Sequence, residues 1–208
     1  MRVSEAATVF VVDDDAAVRD SIAELVVSVG LRAESYGSGA EFLDAFDPAR
    51  AGCLVLDVLM AEMSGLVLQQ RLNALGAGIP VIVLTGHGDV PMAVAAMKAG
   101  AVDFVQKPYR DQALLDAINT ALARDAAARR AGAAADRFDA CVAALTERER
   151  EVLDYVLAGR TSKETAQALA ISPRTAEAHR RNLLRKFGVG SAKALIALSA
   201  ASGNDIAP

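Results

Sequence analysis

Apolar residues in the first 123 positions follow two alternating patterns. Short, mostly apolar runs predict strands buried on both faces, and apolar positions three or four apart predict helices. The predicted strands are TVFVVD, LRAESY, CLVLD, PVIVLT and VDFVQ, and the helices that follow them are AAVRDSIAELVVS, AEFLDAF, GLVLQQRLNAL, VPMAVAAMKA and DQALLDAINTAL. The first helix shows its apolar stripe at Val18, Ile22, Leu25, Val26 and Val29. Strands that alternate with helices predict an α/β doubly wound, five-stranded parallel sheet over residues 1–123.

The pattern changes after residue 123. Residues 124–139 are rich in alanine and arginine without an apolar stripe, which predicts a linker that alanine could keep helical, with Gly132 as a weak point. Residues 140–208 contain four predicted short helices, two of them joined by a tight Ala-Ile-Ser turn, and this favours a small all-α helix-turn-helix domain. Their start and stop signals are Thr146 with Glu149, Gly159, Ser162, Ser172 with Pro173, Gly188 and Ser191.

Composition narrows the class of protein. The chain has 208 residues, of which 53% are hydrophobic, and this excludes a disordered polymer. It lacks an apolar run of roughly 18 residues and an N-terminal targeting pattern, so we expect a cytoplasmic protein that does not enter a membrane. Cys53 and Cys141 are too few and too far apart for a disulfide framework, and we expect two small buried side chains.

Charge is divided unevenly along the chain. The formal charge is −4 overall, but residues 1–123 hold 8 Lys and Arg against 16 Asp and Glu, whereas residues 140–208 hold 10 against 7. An acidic half is compatible with a metal site and a basic half with nucleic acid.

Polar residues stand where four of the five predicted strands end. Asp13 and Asp14 follow the first strand, Asp57 the third, Thr85 the fourth and Lys107 the fifth. Each alone has an ordinary explanation: Asp57 could cap a turn, Thr85 could be a strand residue, and Lys107 could lie along the sheet edge. Ligands of doubly wound sheets bind beyond the carboxyl ends of the strands, so together they predict one site.

This set of residue types suits phosphoryl transfer to a carboxylate. Mg²⁺ prefers oxygen ligands and would relieve the repulsion among the three aspartates. Lys107 would pair with a phosphoryl oxygen and Thr85 would donate a hydrogen bond to another. Asp57 is the acceptor in this interpretation, and Gly86 leaves room for the phosphoryl group.

The motifs VVDDD, LVLDVLMAEMSG, VLTGHGDVPMAVAAMKAGAVDF and QKPY resemble the receiver domain of two-component response regulators, especially the FixJ type, over residues 8–122. The resemblance implies that a histidine kinase phosphorylates Asp57. It further implies that Asp14, Asp57 and the Leu59 carbonyl ligate Mg²⁺, that Asp13 acts through water, that Thr85 and Phe104 form a switch pair, and that the Lys107-Pro108 bond is cis. This chain departs from the family at Ala61, where proline is usual, and at Leu59, where arginine is frequent. Leu59 and His87 would flank the path of the hydrolytic water, although His87 could equally be an inert loop residue.

The third helix of the second domain has two different faces. Ala176, Leu183, Leu184 and Phe187 fall on one side, and Arg174, Glu177, Ala178, Arg181 and Arg185 fall on the other. Arginine can bond guanine, Glu177 can accept from cytosine and Ala178 can touch a thymine methyl. Arg180 falls toward the packed side. The flanking residues Thr175, His179, Asn182 and Lys186 could reach phosphates. An amphipathic surface helix with a solvated basic face is the alternative.

The segment from LTERE to RKFGV resembles the LuxR-type DNA-binding domain, over residues 144 to about 200. The resemblance implies that the third helix enters the major groove and that the fourth, over 192–202, mediates dimerisation through Leu195, Ile196 and Leu198. These three side chains could instead complete the domain core. In the receiver, we expect dimer contacts on helix 90–99, strand 102–106 and the helix after Tyr109, with Val90, Val94 and Lys98 as candidates.

We therefore expect a phosphorylation-activated transcriptional regulator rather than an enzyme. Its partners would be a sensor histidine kinase and promoter DNA, and it would be a monomer at rest and a homodimer when phosphorylated. One alternative is a phosphohydrolase with Asp13 as nucleophile, but this leaves Asp57 without a role. The other is a DNA-binding protein that ignores phosphorylation and uses its receiver-like domain only to dimerise.

Overall fold

The structure is a computed structural model that describes residues 7–86 and 90–203. The chain divides into two compact units between Ala127 and Ala128. Among the described residues, no helix combines the length and apolar character needed to cross a membrane.

The first unit is the predicted five-stranded parallel sheet with helices on both faces. Its strands follow the order β2-β1-β3-β4-β5, so the predicted α/β fold is confirmed. The strands are β1 (Thr8–Val12), β2 (Arg32–Tyr36), β3 (Gly52–Asp57), β4 (Val81–Thr85) and β5 (Asp103–Gln106), and the helices are α1 (Ala16–Ser28), α2 (Gly39–Ala45), α3 (Gly65–Ala74), α4 (Val90–Lys98) and α5 (Asp111–Ala143).

Alternate residues of the central strands feed two separate cores. Val9 and Val11 of β1 pack with α1 and α5, whereas Phe10 and Val12 pack with α2 and α3. Burial on both faces explains why these strands read as continuous apolar runs. Val29 is an exception to the predicted stripe of α1, because the helix ends at Ser28 and the Val29 side chain is 50% exposed.

The order of the strands decides where a site can form. The chain moves outward in opposite directions from β1, to β2 on one side and to β3 on the other. The connections therefore diverge beyond the carboxyl ends of β1 and β3, and leave a crevice there. Asp13 and Asp57 lie at this crevice.

Two glycines allow close approach of backbone around β3. A Cβ on Gly52 would lie 2.0 Å from the carbonyl oxygen of Thr8, and one on Gly65 would lie 2.1 Å from the carbonyl oxygen of Asp57. The Gly52 N–H also donates to Asp125 of α5 at 3.1 Å. Strand β3 is thus packed against main chain at its beginning and just beyond its end.

The second unit contains α6 (Glu147–Leu157), α7 (Ser162–Ala168), α8 (Pro173–Lys186) and α9 (Ala192–Ala201). The apolar faces of α6, α8 and α9 share a core that includes the buried Phe138 of α5. The predicted caps at Thr146, Ser172 and Ser191 are confirmed. Helix α7 begins at Ser162, as predicted, but its N-cap is the preceding residue Thr161, which forms a second capping box with Glu164. Helix α8 ends at Lys186, two residues before the predicted Gly188.

Residues 124–139, predicted as a linker that could be helical, lie within α5. The residues of α5 up to Ala127 belong to the first unit and those from Ala128 belong to the second.

One carboxylate joins the beginning of α6 to the end of α8. Oε2 of Glu149 accepts hydrogen bonds from the Thr146 backbone N–H at 2.9 Å, the Thr146 hydroxyl at 3.0 Å and Lys186 Nζ at 2.7 Å. Lys186 Nζ also donates to the Ala144 carbonyl at 3.0 Å. The bonds from Lys186 and then from Thr146 lower the pKa of Glu149 from 4.5 to about 2. The capping box predicted from sequence therefore extends to a second helix.

Replacing Gly65 by alanine should destabilise the first unit by about 1 to 3 kcal/mol, because the new Cβ cannot fit against the Asp57 carbonyl without backbone movement. Gly132→Ala is the matched control, since a Cβ there meets no atom within 4 Å and alanine favours the helix. Urea unfolding followed by hydrogen exchange of β3 peptides measures the difference. Equal stability of the two variants would contradict the close approach.

The Glu149 carboxylate should make the second unit sensitive to acid. Since its pKa is lowered on folding, its contribution is fully present above about pH 4.5 and is lost as the pH falls toward 2. We expect Glu149→Gln to cost about 1 to 2 kcal/mol at pH 7, reduced by partial solvent screening of Lys186, and progressively less below pH 4.5. Urea midpoints from amide NMR signals of α6 and α8 test this. A difference between variant and wild type that does not change with pH would contradict it.

Candidate functional site

Three aspartates meet at the carboxyl ends of β1 and β3. Asp13 and Asp57 are almost fully buried, with 2% and 5% of their surface exposed, whereas Asp14 is exposed. One carboxylate oxygen from each residue can be chosen so that all three lie within 4.8 Å of one another. Like charges at this separation repel strongly in a partly buried site, so neighbouring groups must supply compensating charge.

Lys107 supplies part of that compensation. Its Nζ lies 2.6 Å from Asp13 Oδ2 and 2.9 Å from Asp57 Oδ1. The residue follows β5, and its backbone N–H donates to the Thr85 carbonyl at 2.7 Å. The Lys107-Pro108 bond is cis, as the family resemblance implies. The lysine thus bridges the ends of β1 and β3 from the far side of β4.

Burial and ion pairing have opposite effects on the pKa values of Asp57 and Lys107. Burial raises the pKa of Asp57 and outweighs the lowering effect of the hydrogen bond and charge of Lys107. For Lys107, burial lowers the pKa, but the hydrogen bonds to Asp13 and Asp57 outweigh it, and the pKa is raised. Lys107 is therefore a cation at neutral pH, and Asp57 is a carboxylate that is less stabilised than one in water.

Backbone N–H groups complete the support of the aspartates. Asp15 N–H donates to Asp13 Oδ1 at 2.9 Å, Leu59 N–H to Asp57 Oδ2 at 3.0 Å, and Ala61 N–H to Asp14 Oδ2 at 2.8 Å. The sequence analysis did not anticipate these donors, because any residue except proline carries a backbone N–H.

Arg19 of α1 was also missed. Its guanidinium donates to the Asp13 carbonyl at 2.7 Å. Its position in the first turn of α1, shortly after the three aspartates, could have indicated this contact.

The other predicted receiver residues differ in how far they are buried. Thr85 is fully buried at the end of β4, and Phe104 on β5 is half-buried against the core that includes Val83. Leu59 is 60% exposed beside Asp57, and Gly86 is exposed. His87 lies outside the described residues. A cavity of about 230 Å³ borders Asp14 next to Met60 and Met63, so its carboxylate is accessible from solvent.

Helix α8 has the two faces predicted from its sequence. Ala176 and Leu183 are buried, Phe187 is buried at the C-terminal end, and Leu184 is half-buried. His179 is half-buried. The exposed members of the predicted DNA-contacting set are Arg174, Thr175, Glu177, Ala178, Arg181, Asn182, Arg185 and Lys186.

Two cations of α8 bond to residues outside that helix, and Arg185 donates within it to Asn182 Oδ1 at 3.3 Å. Arg180 donates to the Arg160 carbonyl at 2.9 Å. Lys186, which we expected to reach a phosphate, donates instead to Glu149 and Ala144. This pairing could not be predicted from the sequence, because it depends on which helix ends meet in space.

The candidate dimer residues differ in accessibility. Val94 and Lys98 are exposed on α4, and the side chain of Val90 lies outside the described part of the chain. Leu195 is completely buried in its own unit, whereas Ile196 and Leu198 are half-buried. A buried side chain cannot contact a second copy, so Leu195 fits the alternative that it completes the domain core.

Comparison with known proteins agrees with both parts of this description. Residues 9–119 match the response regulator receiver domain, and residues 143–199 match the bacterial regulatory proteins of the luxR family. The transcriptional regulatory protein FixJ of Azorhizobium caulinodans is 45% identical over 199 residues, which cover 96% of this chain and 94% of that protein.

Solved structures give the same result. The response regulator StyR is 42% identical with a TM-score of 0.81, and the match covers 94% of this chain and 98% of StyR. Full-length FixJ from B. japonicum is 39% identical with a TM-score of 0.60, and the match covers 97% of this chain and 98% of that one. The chain therefore belongs to the response regulators of two-component systems, and it is a transcriptional regulator that combines a receiver domain with a LuxR-type DNA-binding domain.

Proposed function

We propose that a histidine kinase phosphorylates Asp57 and that this modification increases binding of the chain to promoter DNA. The observation that carries the proposal is the position of Asp57: a carboxylate at the end of a buried strand, 2.9 Å from a lysine ammonium and beside two further aspartates. Asp57 is the member of the cluster that Lys107 and the Leu59 N–H both contact.

The donor set fits a divalent cation. Three carboxylate oxygens within 4.8 Å of one another are hard ligands of the kind that Mg²⁺ prefers. Asp14, Asp57 and the Leu59 carbonyl would hold the ion directly, and Asp13 would act through water. When bound, Mg²⁺ supplies positive charge that stabilises the phosphoryl group during transfer.

Residues of this chain supply the other groups that phosphoryl transfer needs. An oxygen of Asp57 forms the new P–O bond while the P–N bond of the kinase phosphohistidine breaks. The electron pair of that bond leaves with the imidazole nitrogen, which takes up a proton in the kinase. Lys107 stays protonated because its pKa is raised, so it can pair with a phosphoryl oxygen, and the Thr85 hydroxyl can donate to another.

Phosphorylation would then shift a conformational equilibrium. It replaces one carboxylate charge with a phosphoryl group of roughly −1.5 to −2 charges and new acceptor oxygens. Lys107 and Thr85 would reorient toward these oxygens, and Phe104 would follow Thr85. Since Val94 and Lys98 are exposed on neighbouring α4, we expect the altered surface of α4 and β5 to form the dimer contact.

The DNA-binding step is assigned to the exposed face of α8. Arg174, Arg181 and Arg185 project from it and would contact bases or phosphates of the major groove. Lys186 has a different role here, because Glu149 and the Ala144 carbonyl engage its ammonium. We treat Lys186 and Arg180 as positioning residues that fix α8 to the rest of its unit.

Treatment with Mg²⁺ and a phosphoryl donor, or its beryllium fluoride mimic, should convert the wild type to a dimer of twice its 21.6 kDa mass. Its affinity for promoter DNA should rise by about 5- to 150-fold. Asp57→Asn should show neither change, because a neutral amide replaces the nucleophilic carboxylate. Light scattering and DNA titration at one fixed salt concentration measure both effects.

Asp44→Asn is the control for this experiment, since Asp44 is an exposed aspartate on α2 and should behave as wild type. An Asp57→Asn variant that still responds would contradict phosphorylation of Asp57. Unchanged DNA affinity in the wild type would favour a regulator that does not depend on phosphorylation. Loss of phosphoryl uptake in Asp13→Asn but not in Asp57→Asn would favour the phosphohydrolase alternative.

Salt dependence distinguishes the role of Lys186 from that of a phosphate contact. Loss of one phosphate contact lowers the slope of log K against log salt by about 0.9. We expect Lys186→Gln to weaken DNA binding without this change of slope, and Glu149→Gln in the same chain to restore part of the affinity. Arg181→Gln should instead cost about 1 to 3 kcal/mol, mainly at the specific site. A slope reduced by about 0.9 in Lys186→Gln would identify Lys186 as a phosphate contact after all.

A further inference from the structure

The loop after β3 holds two aspartates through alternate backbone N–H groups. Leu59 N–H donates to Asp57 Oδ2 at 3.0 Å, and two residues later Ala61 N–H donates to Asp14 Oδ2 at 2.8 Å. The two carboxylates come from different strands, since Asp57 ends β3 and Asp14 follows β1. A single short stretch of backbone therefore joins them.

The bond from Ala61 matters because Asp14 is the exposed member of the cluster. Lys107 compensates the charges of Asp13 and Asp57 at 2.6 and 2.9 Å, whereas Asp14 receives its hydrogen bond from the loop. An exposed carboxylate next to like charges gains free energy by rotating toward water. The hydrogen bond from the Ala61 N–H opposes that rotation, because rotation of the carboxylate would break it.

We infer that the Ala61 N–H is a positioning group for the cation site: it holds Asp14 beside Asp57 before the divalent cation arrives. The inference rests on the proposed Mg²⁺ site. A carboxylate has two oxygens, so Asp14 can keep the bond from Ala61 on Oδ2 while Oδ1 ligates the ion. The residue type matters at this position because proline has no backbone N–H.

The loop also places the third implied ligand. The Leu59 carbonyl lies between the two donor N–H groups along the chain, and it is the oxygen that the family resemblance assigns to the ion. Fixing Ala61 to Asp14 and the Leu59 N–H to Asp57 limits the movement of that carbonyl. The N–H of Ala61 thus orients one carboxylate and restrains one carbonyl of the same site.

Calorimetric titration of Mg²⁺ into the full chain tests the inference with two variants at one position. Ala61→Pro removes the donor, and Ala61→Gly keeps it while removing only the Cβ. We expect Ala61→Pro to bind Mg²⁺ about 3- to 10-fold more weakly than Ala61→Gly, which is the effect of one hydrogen bond to a charged group at a partly solvated site.

Amide hydrogen exchange by NMR gives a second measurement that does not depend on how well the proline variant folds. In the wild type without Mg²⁺, the Ala61 amide should exchange slowly. In Asp14→Ala it should exchange severalfold faster, while the Leu59 amide, which donates to Asp57, stays protected. This readout follows the hydrogen bond itself and not phosphorylation.

Two results would overturn the inference: Mg²⁺ binding by Ala61→Pro as tight as by Ala61→Gly, or an Ala61 amide whose exchange is the same in wild type and Asp14→Ala. Either would leave the proposed function intact as long as the wild type binds Mg²⁺. A wild type that takes up no Mg²⁺ would instead refute the cation site of the proposed function, and the inference with it.

Discussion

Repulsion among three neighbouring carboxylates is the constraint on which this receiver domain depends. The parallel sheet brings Asp13, Asp14 and Asp57 together simply because β1 and β3 are adjacent and point the same way. Lys107 has to cross from the end of β5 to bridge two of them. The rest of the unit can be understood as the scaffold that delivers these four side chains to one place. Their proximity stores the electrostatic free energy that a cation or a phosphoryl group can change.

The second domain also depends on an ion pair between a lysine and a carboxylate, but here the pair fixes the end of a helix. A recognition helix must present charged side chains to a ligand while its own ends stay fixed. Glu149 receives three donors on a single oxygen and thereby fixes the end of α8 through Lys186. The pair uses one cation of α8 for internal structure, while Arg174, Arg181 and Arg185 of the same helix are exposed to solvent. Within α8, Lys186 thus stabilises the unit itself, whereas the exposed arginines are the side chains that we propose for DNA contact.

Features that follow directly from the spacing of apolar residues could be predicted from the sequence. Parallel strands end at a common edge, so Asp57, Thr85 and Lys107 could be assigned to one site from their positions alone, and capping residues identified the helices of the second domain. Sequence reasoning failed where contacts depend on the folded state. The pairing of Lys186 with Glu149 and the burial of Leu195 need the packing of three helices. Backbone donors such as the Ala61 N–H leave no trace in a sequence except the absence of proline.

The close packing of main chain around β3 has an evolutionary consequence. A side chain at position 52 or 65 would overlap a carbonyl oxygen, and the residues between them up to Val58 are buried. Strand β3, which ends at Asp57, therefore tolerates few changes of side-chain size. Leu59 and Ala61, in contrast, face solvent within a few ångströms of the same chemistry. If Asp57 is phosphorylated as we propose, substitutions in this short exposed loop can adjust the response of the regulator without changing the buried strand beside it.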